Sequence, residues 1–270
     1  AGRDPFAGRV LAHPLRFDAP DSLARALEGA EVLYNTYWVR FDCSRFTHGQ
    51  AVQNTFALFD AAKRAGVRRI VHVSITNPDA QSELPYFRGK GQIEEYLRGL
   101  GGGVSHSILR PAVLFGDNAI LLNNIAWMLR RFPVFGIFGD GKYRIEPIHV
   151  DDLAALAVGH GARPDGPDVT VDAKGPESYE YRELVRAIGK AIGRERRLVS
   201  ISPSVGFAMG RLFGALKGDV VITREEIRGL MAGLLATDSP PNAPTRLSDW
   251  LIANRDWLGK VYQNEMKRRG

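Results

Sequence analysis

A tyrosine and a lysine stand four positions apart in the stretch YFRGKGQIEEYL, as Tyr86 and Lys90. Residues at this spacing share one face of a helix, so the phenol and the ammonium would be neighbours. A free phenol has a pKa of about 10, and a nearby ammonium lowers that value toward neutral pH. Ser74 precedes this pair, and its hydroxyl could hold a carbonyl or alcohol oxygen while Tyr86 moves the proton. The three residues therefore predict proton transfer coupled to hydride transfer with a nicotinamide.

Each of these residues also has an ordinary structural explanation. Tyr86 follows Pro85 and could be an aromatic residue at a helix start, with Lys90 in solvent. Ser74 could satisfy a backbone group at the end of a strand. Asn54, inside a helical segment, is a further candidate for the site, and its amide could instead bond to the backbone of a neighbouring strand. The stretches around the pair favour the functional interpretation.

The flanking stretches alternate between strand and helix patterns. Apolar runs of strand length predict strands at 9–17, 31–38, 67–76 and 104–116. Helical spacing of apolar residues predicts helices at 21–30 and 47–66, and a third one that begins at Tyr86 and ends before the glycines at 101–103. This alternation predicts an α/β fold with a Rossmann-type, doubly wound parallel sheet.

Polar residues follow several of these apolar strands. In a doubly wound sheet, ligands bind at the carboxyl ends of the parallel strands. We therefore expect a binding site that combines three groups of residues: Asn35, Thr36 and Tyr37; Ser74, Ile75 and Thr76; and Pro111, Ala112 and Val113.

Beyond residue 116 the sequence becomes mainly helical. We predict two parts, a dinucleotide-binding domain over 1–158 and a smaller helical lobe over 159–270 that is interleaved with the sheet. The helical segment at 203–218 is apolar over much of its surface. Packing in the core of the lobe is the first expectation for this segment. A mouth for a lipid-like or quinone-like substrate, or contact with a membrane surface, is the alternative.

Composition argues against several classes of function. The net charge of +6 is spread over 270 residues, which does not predict a nucleic-acid partner. The single cysteine, Cys43, allows no internal disulfide and fits a reducing, cytoplasmic setting. No apolar run reaches the ~18 residues of a membrane span, so peripheral contact is the membrane interaction left open. The histidines lack metal-ligand spacing, and Asp151 and Asp152 are explained by helix capping, so we predict no metal site.

Several stretches, in this order, resemble the atypical and extended short-chain dehydrogenase/reductases, especially the group similar to NAD-dependent epimerases and dehydratases. They are FDAPDSLARALEGAEVLYNTYW, QNTFALFDAAKRAGVRRIVHVS, YFRGK, SILRPAVLFG and PIHVDDLA. That group includes a dehydrogenase-like accessory subunit of respiratory complex I. The resemblance extends over residues 10–195 and implies an NAD(P)-binding Rossmann fold.

The resemblance also implies a role for individual residues. Tyr86 would be the acid/base, Lys90 would bind the nicotinamide ribose and tune Tyr86, and Ser74 would position the substrate. Asn54 would support a proton relay or shape its helix. The implied cofactor contacts are Asp18 near the adenine, Asn35, Thr36 and Tyr37 along the dinucleotide, and Pro111 and Val113 beside the nicotinamide. The implied substrate residues are Thr76, Arg144 and His149, of which the last two could instead brace the turn that contains them.

One part of the family pattern is absent from this sequence. The family opens with a strand, a glycine-rich turn and a helix whose amino terminus cradles the pyrophosphate. The glycine-rich stretch at 98–106 leads from helix to strand, which is the opposite order. We expect the sequence to begin after the family's second strand, either by truncation or because this member has lost the cradle. The residues that distinguish NAD from NADP follow this second strand, and near that place Arg3 is the one residue that favours a 2′-phosphate. The sequence therefore leaves both cofactors open, and the predicted cofactor is NAD or NADP.

The sequence thus predicts an NAD(P)-dependent oxidoreductase or epimerase that acts on a small-molecule substrate, such as a carbonyl, an alcohol or a compound similar to a nucleotide sugar. The alternative is a non-catalytic dinucleotide-binding module with a structural or redox-sensing role. A scaffold that binds no dinucleotide is a third hypothesis. Members of the family often pair through two helices, so a homodimer is left open.

Overall fold

A computed structural model describes residue 6, residues 8–43 and residues 46–269. Arg3, named above for a 2′-phosphate, lies outside the described residues. The helices are α1 (Pro20–Ala26), α2 (His48–Arg64), α3 (Pro85–Gly99), α4 (Ile120–Arg131), α5 (Val150–Gly161), α6 (Tyr181–Ala191), α7 (Pro203–Lys217), α8 (Arg224–Met231), α9 (Leu247–Ala253) and α10 (Glu265–Arg269). The strands are β1 (Val32–Asn35), β2 (Arg69–Val73), β3 (Ser105–Pro111), β4 (Val113–Phe115), β5 (Val134–Phe138), β6 (Arg144–Ile145), β7 (Pro147–His149), β8 (Val169–Ala173), β9 (Tyr179–Glu180) and β10 (Arg197–Ile201).

The central sheet is parallel and contains β1, β2, β3 and β8 in that order. Side chains alternate between its two faces, as strand geometry requires. Ile70 and Ile108 lie in the core formed with α2 and α3, whereas Val71 and Leu109 lie in the core on the other side, near α5. A parallel sheet with helices on both faces confirms the predicted α/β fold class.

Helix α3 lies unusually close to the chain segments around it. It begins with Pro85 in its first turn, where a missing N–H costs no hydrogen bond. A Cβ at Gly91 would overlap the backbone of Ala80, and a Cβ at Gly89 would press on the ring of Trp38. These two glycines therefore let the helix approach the turn that precedes it and the segment that follows β1. That approach fixes the position of Tyr86 and Lys90.

The second part of the chain has a core of its own. Buried side chains from α4, α6 and α9, including Leu122, Leu184 and Leu251, form its largest cluster. Strands β5 and β10 pair in parallel beside α7. Strand β8 comes after residue 158, so the predicted second part contributes a strand to the sheet of the first.

The sequence predictions differ from the structure in several places. Residues 9–17 form no strand with the described part of the chain, and Pro14 removes a backbone donor that a ladder would use. The predicted strand 104–116 is two strands, because β4 leaves the central sheet and pairs with β7. Strand β5 was not predicted. Segment 203–218 forms α7 as expected, but Val205, Met209, Leu212 and Leu216 are exposed, so the prediction of core packing was wrong for this face.

Among the described residues, no helix combines the length and the apolar character needed to cross a bilayer.

Candidate functional site

Trp38 contacts both of the residues that the sequence analysis placed at the centre of the site. The Lys90 Nζ lies 4.6 Å from the centroid of the Trp38 ring. The Tyr86 ring meets the same indole edge-on, with 5.6 Å between centroids. Tyr86 and Lys90 are one turn apart on α3, so the predicted shared helix face is present, and the indole contacts both members of the pair.

The Lys90 ammonium is engaged by protein groups. Its Nζ donates a hydrogen bond of 2.7 Å to the carbonyl oxygen of Val73, the last residue of β2, and the residue is 2% exposed. Burial lowers the pKa of Lys90 to about 7, while the Glu94 carboxylate acts in the opposite direction. A lysine held in this way does not present a fixed positive charge to its neighbours at neutral pH.

The Tyr86 phenol is less acidic than a free phenol. Burial, and then the Glu226 carboxylate, raise the pKa of Tyr86 to about 12, while Arg40 acts against this shift. The ring is half-buried and also contacts the rings of His48 and Phe87. The lowered phenol pKa that the Tyr–Lys spacing predicts is therefore wrong for this arrangement, because burial of the phenol raises the pKa of Tyr86.

Ser74 and Asn54 have different surroundings. Ser74 is 3% exposed, and its Oγ has no hydrogen-bond partner within the described part of the chain. Asn54 donates from Nδ2 to the phenol oxygen of Tyr37 at 2.9 Å, which fixes the loop that follows β1 against α2. Tyr37 is itself a predicted contact of the cofactor, and its bond with Asn54 does not test a proton relay. The relay role of Asn54 therefore stays a prediction.

The residues after β1 bond to one another and to β2. The Nδ2 of Asn35 lies 2.9 Å from His72 Nδ1, and its Oδ1 accepts from the backbone N–H of Tyr37 at 3.1 Å. Burial, followed by the charge of Lys90, lowers the pKa of His72 well below its usual range, so its ring is neutral. Thr36 is exposed. These bonds hold the carboxyl end of β1 in one conformation.

The ends of β2 and β3 meet as the sequence predicts. The backbone N–H of Thr76 donates to the carbonyl oxygen of Pro111 at 3.1 Å, and its Oγ1 donates to Leu234 at 2.8 Å. Val113 is buried and lines the cavity described below. Thr76 is thereby tied to the second part of the chain, and its substrate role stays a prediction.

Three further predicted site residues contact other protein groups: Arg144, His149 and Asp18. Arg144 donates to the buried Glu146 carboxylate at 2.7 Å. His149 is the N-cap of α5 and accepts from the backbone of Asp151 at 3.2 Å. These contacts favour the bracing alternative, and the substrate role of both residues stays a prediction. Asp18 is exposed and pairs with Arg16 at 3.0 Å, so its contact is with a neighbour in sequence.

Tyr86 lines a cavity of about 410 Å³ between the sheet edge and the second part of the chain. Most of its lining is apolar, and its charged wall is a network that sequence reasoning missed. Arg40 Nε donates to Glu226 at 2.6 Å and its Nη1 to Glu265 at 2.9 Å. The lining includes Ile75, Leu84, Phe87, Val113, Leu121, Ile222, Leu230 and Leu235. Arg40 is far from both glutamates in sequence, so no local pattern indicates the network.

The residues at this edge fit a nicotinamide dinucleotide only in part. The Ser74 hydroxyl is a buried group that a ligand could satisfy. One N–H of the Lys90 ammonium is used by Val73 and the Trp38 ring lies beside it, and its ribose-binding role stays a prediction. No hydride-transfer step follows from this arrangement. Within the described ranges, no group of three His, Cys, Asp or Glu side chains is placed to hold a metal ion.

Comparison with known proteins agrees with the class that this sheet defines, an α/β protein with the fold of NAD(P)-binding epimerases and reductases. A nucleoside-diphosphate-sugar epimerase from Staphylococcus aureus superposes with a TM-score of 0.73, at 18% identity, over 93% of this chain and 86% of that one. An Escherichia coli NADPH-dependent quinone oxidoreductase, complexed with NADPH, superposes with a TM-score of 0.65, at 21% identity, over 87% and 80% of the two chains. At these identities the likeness concerns the fold.

Sequence comparison finds similarity to one protein family and to mitochondrial proteins. The NmrA-like family matches residues 10–118. The rat (Rattus norvegicus) mitochondrial NADH dehydrogenase (ubiquinone) 1 alpha subcomplex subunit 9 is 27% identical over 236 residues, 84% of this chain and 60% of that protein. Its Arabidopsis thaliana counterpart is 25% identical over 209 residues, 75% of this chain and 50% of that protein. The chain is thus similar to NmrA-like proteins and to these mitochondrial subunits, and it spans 50–60% of the length of the two relatives.

Proposed function

We propose that this chain is a non-catalytic, nicotinamide-dinucleotide-binding module that serves as an accessory subunit of a larger oxidoreductase. In this role the Tyr86–Lys90 pair stabilises the packing of α3 against the sheet and does not transfer protons. The predicted hydride-transfer chemistry is kept below as a second candidate.

The contact of Trp38 with Lys90 is the observation that carries this proposal. An acid–base tyrosine needs a charged lysine to lower its pKa, and it needs room for the nicotinamide ring beside both. Here the indole lies over the ammonium, and the pKa of each group is shifted by burial away from that requirement. A side chain as large as tryptophan at this place favours structural packing over turnover.

The expectation of a dinucleotide ligand rests on the family and its fold. NADPH is named as the ligand of the quinone oxidoreductase compared above. A bound dinucleotide could supply hydride chemistry or could stabilise the folded protein. In this proposal it stabilises the protein. Ser74 is the residue we expect to gain a hydrogen bond, since its buried hydroxyl is unpaired among the described residues.

The accessory role is suggested by the curated relatives. The rat and Arabidopsis proteins are named as subunits of mitochondrial NADH dehydrogenase. We propose a multisubunit reductase of the same kind as the partner of this chain. The cytoplasmic setting, the homodimer and a small-molecule substrate stay predictions.

Calorimetric titration and turnover assays together test the proposal. We expect NADH or NADPH to bind the purified protein and to raise its melting temperature, with no oxidation of either across a panel of carbonyl, alcohol, nucleotide-sugar and quinone substrates. Tyr86→Phe should leave the dinucleotide affinity unchanged. Tyr96→Phe is the matched control, because this tyrosine lies on the same helix and bonds to Asp60 instead.

Turnover that falls at least about a hundredfold in Tyr86→Phe, but not in Tyr96→Phe, would refute the non-catalytic proposal. If a protein shown to be folded bound neither NADH nor NADPH, the proposal that its ligand is a nicotinamide dinucleotide would be refuted. The two failures are distinct, since the first leaves dinucleotide binding intact.

The second candidate is the NAD(P)-dependent oxidoreductase or epimerase that the sequence predicts. Its specific support is that Tyr86 reaches the wall of the 410 Å³ cavity, which could hold an apolar substrate. In that case Trp38 must leave the ammonium during catalysis. Trp38→Ala would then increase turnover or leave it unchanged, whereas the structural role predicts a less stable protein without activity.

A further inference from the structure

Helix α7 has a large apolar surface that faces away from the protein. Its exposed positions are separated by four, three and four residues, which places them on one helix face. Ala208 and Ala215 are exposed beside them. The residues, with their exposed fractions, are Val205 (51%), Met209 (61%), Leu212 (68%) and Leu216 (77%).

The opposite face of α7 is made of glycines. Gly206, Gly210 and Gly214 repeat every four residues and face the rest of the chain. A Cβ at Gly206 would overlap the Phe138 ring, and one at Gly214 would overlap the carbonyl oxygen of Asp219. The helix therefore packs closely through its glycines, with Phe207 and Phe213 half-buried beside them, and leaves four aliphatic side chains exposed to solvent.

Basic groups accompany this stripe. Helix α7 contains Arg211 and Lys217 and no acidic residue. Lys217 and Arg131 both lie over the ring of Trp127, at 5.4 and 4.4 Å from its centroid. The acidic group nearest in sequence to the helix end, Asp219, accepts a hydrogen bond of 2.7 Å from a tyrosine hydroxyl. Helix α7 itself is therefore net positive.

An exposed apolar stripe between basic side chains matches the chemistry of an interfacial membrane helix. At 15 residues, α7 is about 22 Å long, too short to cross a bilayer. We propose that α7 docks on the surface of an anionic lipid bilayer, lying parallel to it with Leu212 and Leu216 in the acyl boundary. This inference does not depend on the proposed dinucleotide function, which is argued from Ser74, Tyr86 and Lys90.

Sedimentation with lipid vesicles tests this surface. We expect the purified protein to bind phosphatidylcholine vesicles weakly and to bind vesicles with about 30% phosphatidylglycerol strongly, with binding reduced by salt. Leu212→Ser/Leu216→Ser should lower the partition coefficient at least ~tenfold. The control is Val158→Ser/Ile252→Ser, which removes two side chains that are also exposed, at 62% and 56%, but lie outside α7.

The charge contribution is tested separately. Arg211→Gln should lower binding to the anionic vesicles about fivefold, with little change on neutral ones. Melting temperatures should be unchanged in all variants, since the substituted side chains face solvent; a variant that melts early is replaced by Met209→Ser.

Three results would overturn the proposal. The first is an absence of binding to either vesicle. The second is binding that the α7 variants, correctly folded, do not weaken more than the control does. The third is a dimer on gel filtration that Leu212→Ser/Leu216→Ser disperses while lipid binding is absent, which would assign the stripe to a second copy of the chain.

Discussion

Replacement of Lys90 by methionine removes a buried ammonium from the centre of the candidate site and leaves a side chain of similar length. In the folded protein the pKa of Lys90 is lowered from 10.5 to about 7. The unfolded chain therefore binds more protons than the folded chain between these two values. The stability of the wild-type protein should rise with pH across this interval.

The magnitude follows from this shift. At pH 7 the unfolded chain holds the Lys90 proton far more tightly, which costs the folded state about 4 kcal/mol. At pH 9.5 this cost falls to about 1.5 kcal/mol by the same relation. Methionine carries no such cost, but it loses the hydrogen bond to Val73 and the contact of the charge with Trp38, about 1 and 1–2 kcal/mol. At pH 7, Lys90→Met should thus be more stable than the wild type by about 1–2 kcal/mol.

Urea unfolding at several pH values between 7 and 9.5 measures this effect. We expect the wild type to gain about 3 kcal/mol relative to Lys90→Met over that range. Only the difference between the two proteins is used, so other titrating groups cancel. Lys63→Met is the matched control, because Lys63 also donates to a carbonyl oxygen, that of Leu100, at 2.7 Å but is exposed. Its difference from the wild type should stay constant.

A constant difference between the wild type and Lys90→Met from pH 7 to 9.5 would refute this reasoning. It would mean that Lys90 keeps its charge in the folded protein. A charged Lys90 beside Tyr86 is what the catalytic interpretation requires, so this result would also strengthen the second candidate function.

Two further substitutions test the packing that positions the site. Glu146→Gln should lower the free energy of unfolding in urea by about 3–5 kcal/mol, because Glu146 is 1% exposed and pairs with the buried Lys174 at 2.8 Å. Asp238→Asn, at the fully exposed end of the same network, should leave this free energy nearly unchanged, and equal effects of the two substitutions would contradict the argument. Gly91→Ala should lower the melting temperature and increase amide exchange in the turn before α3, because the added methyl overlaps that turn's backbone. Gly99→Ala, where a methyl meets nothing within 4 Å, should stabilise the helix or leave it unchanged, and a gain for both glycines would show that the close approach is not required.

The sequence predicted well those features that depend on local spacing. Tyr86 and Lys90 share a face of α3 because residues four apart always do so in a helix. The order of strands and helices around them follows from apolar runs and turn residues. The polar ends of β1, β2 and β3 meet at one edge because parallel strands place their carboxyl ends together.

Predictions that needed knowledge of a neighbour were less successful. Residues 9–17 have an apolar pattern but no strand partner among the described residues. The stripe on α7 was expected to pack in the core, yet its apolar side faces outward. Periodicity shows that a helix has two unlike faces, and the glycine spacing at 206, 210 and 214 was the signal in the sequence that could have indicated which one packs.

What the sequence determined by itself is the class of fold and the face of α3 that carries the phenol and the amine. Only the tertiary structure decided what surrounds those groups. Trp38 is 52 positions before Lys90, and Arg40 bonds to Glu226 across an even longer separation. Such contacts depend on how whole elements approach, and burial at those contacts moves the pKa of both Tyr86 and Lys90. The same residue types at the same spacing can therefore form an acid–base pair or a packing contact, according to the side chain that folding brings between them.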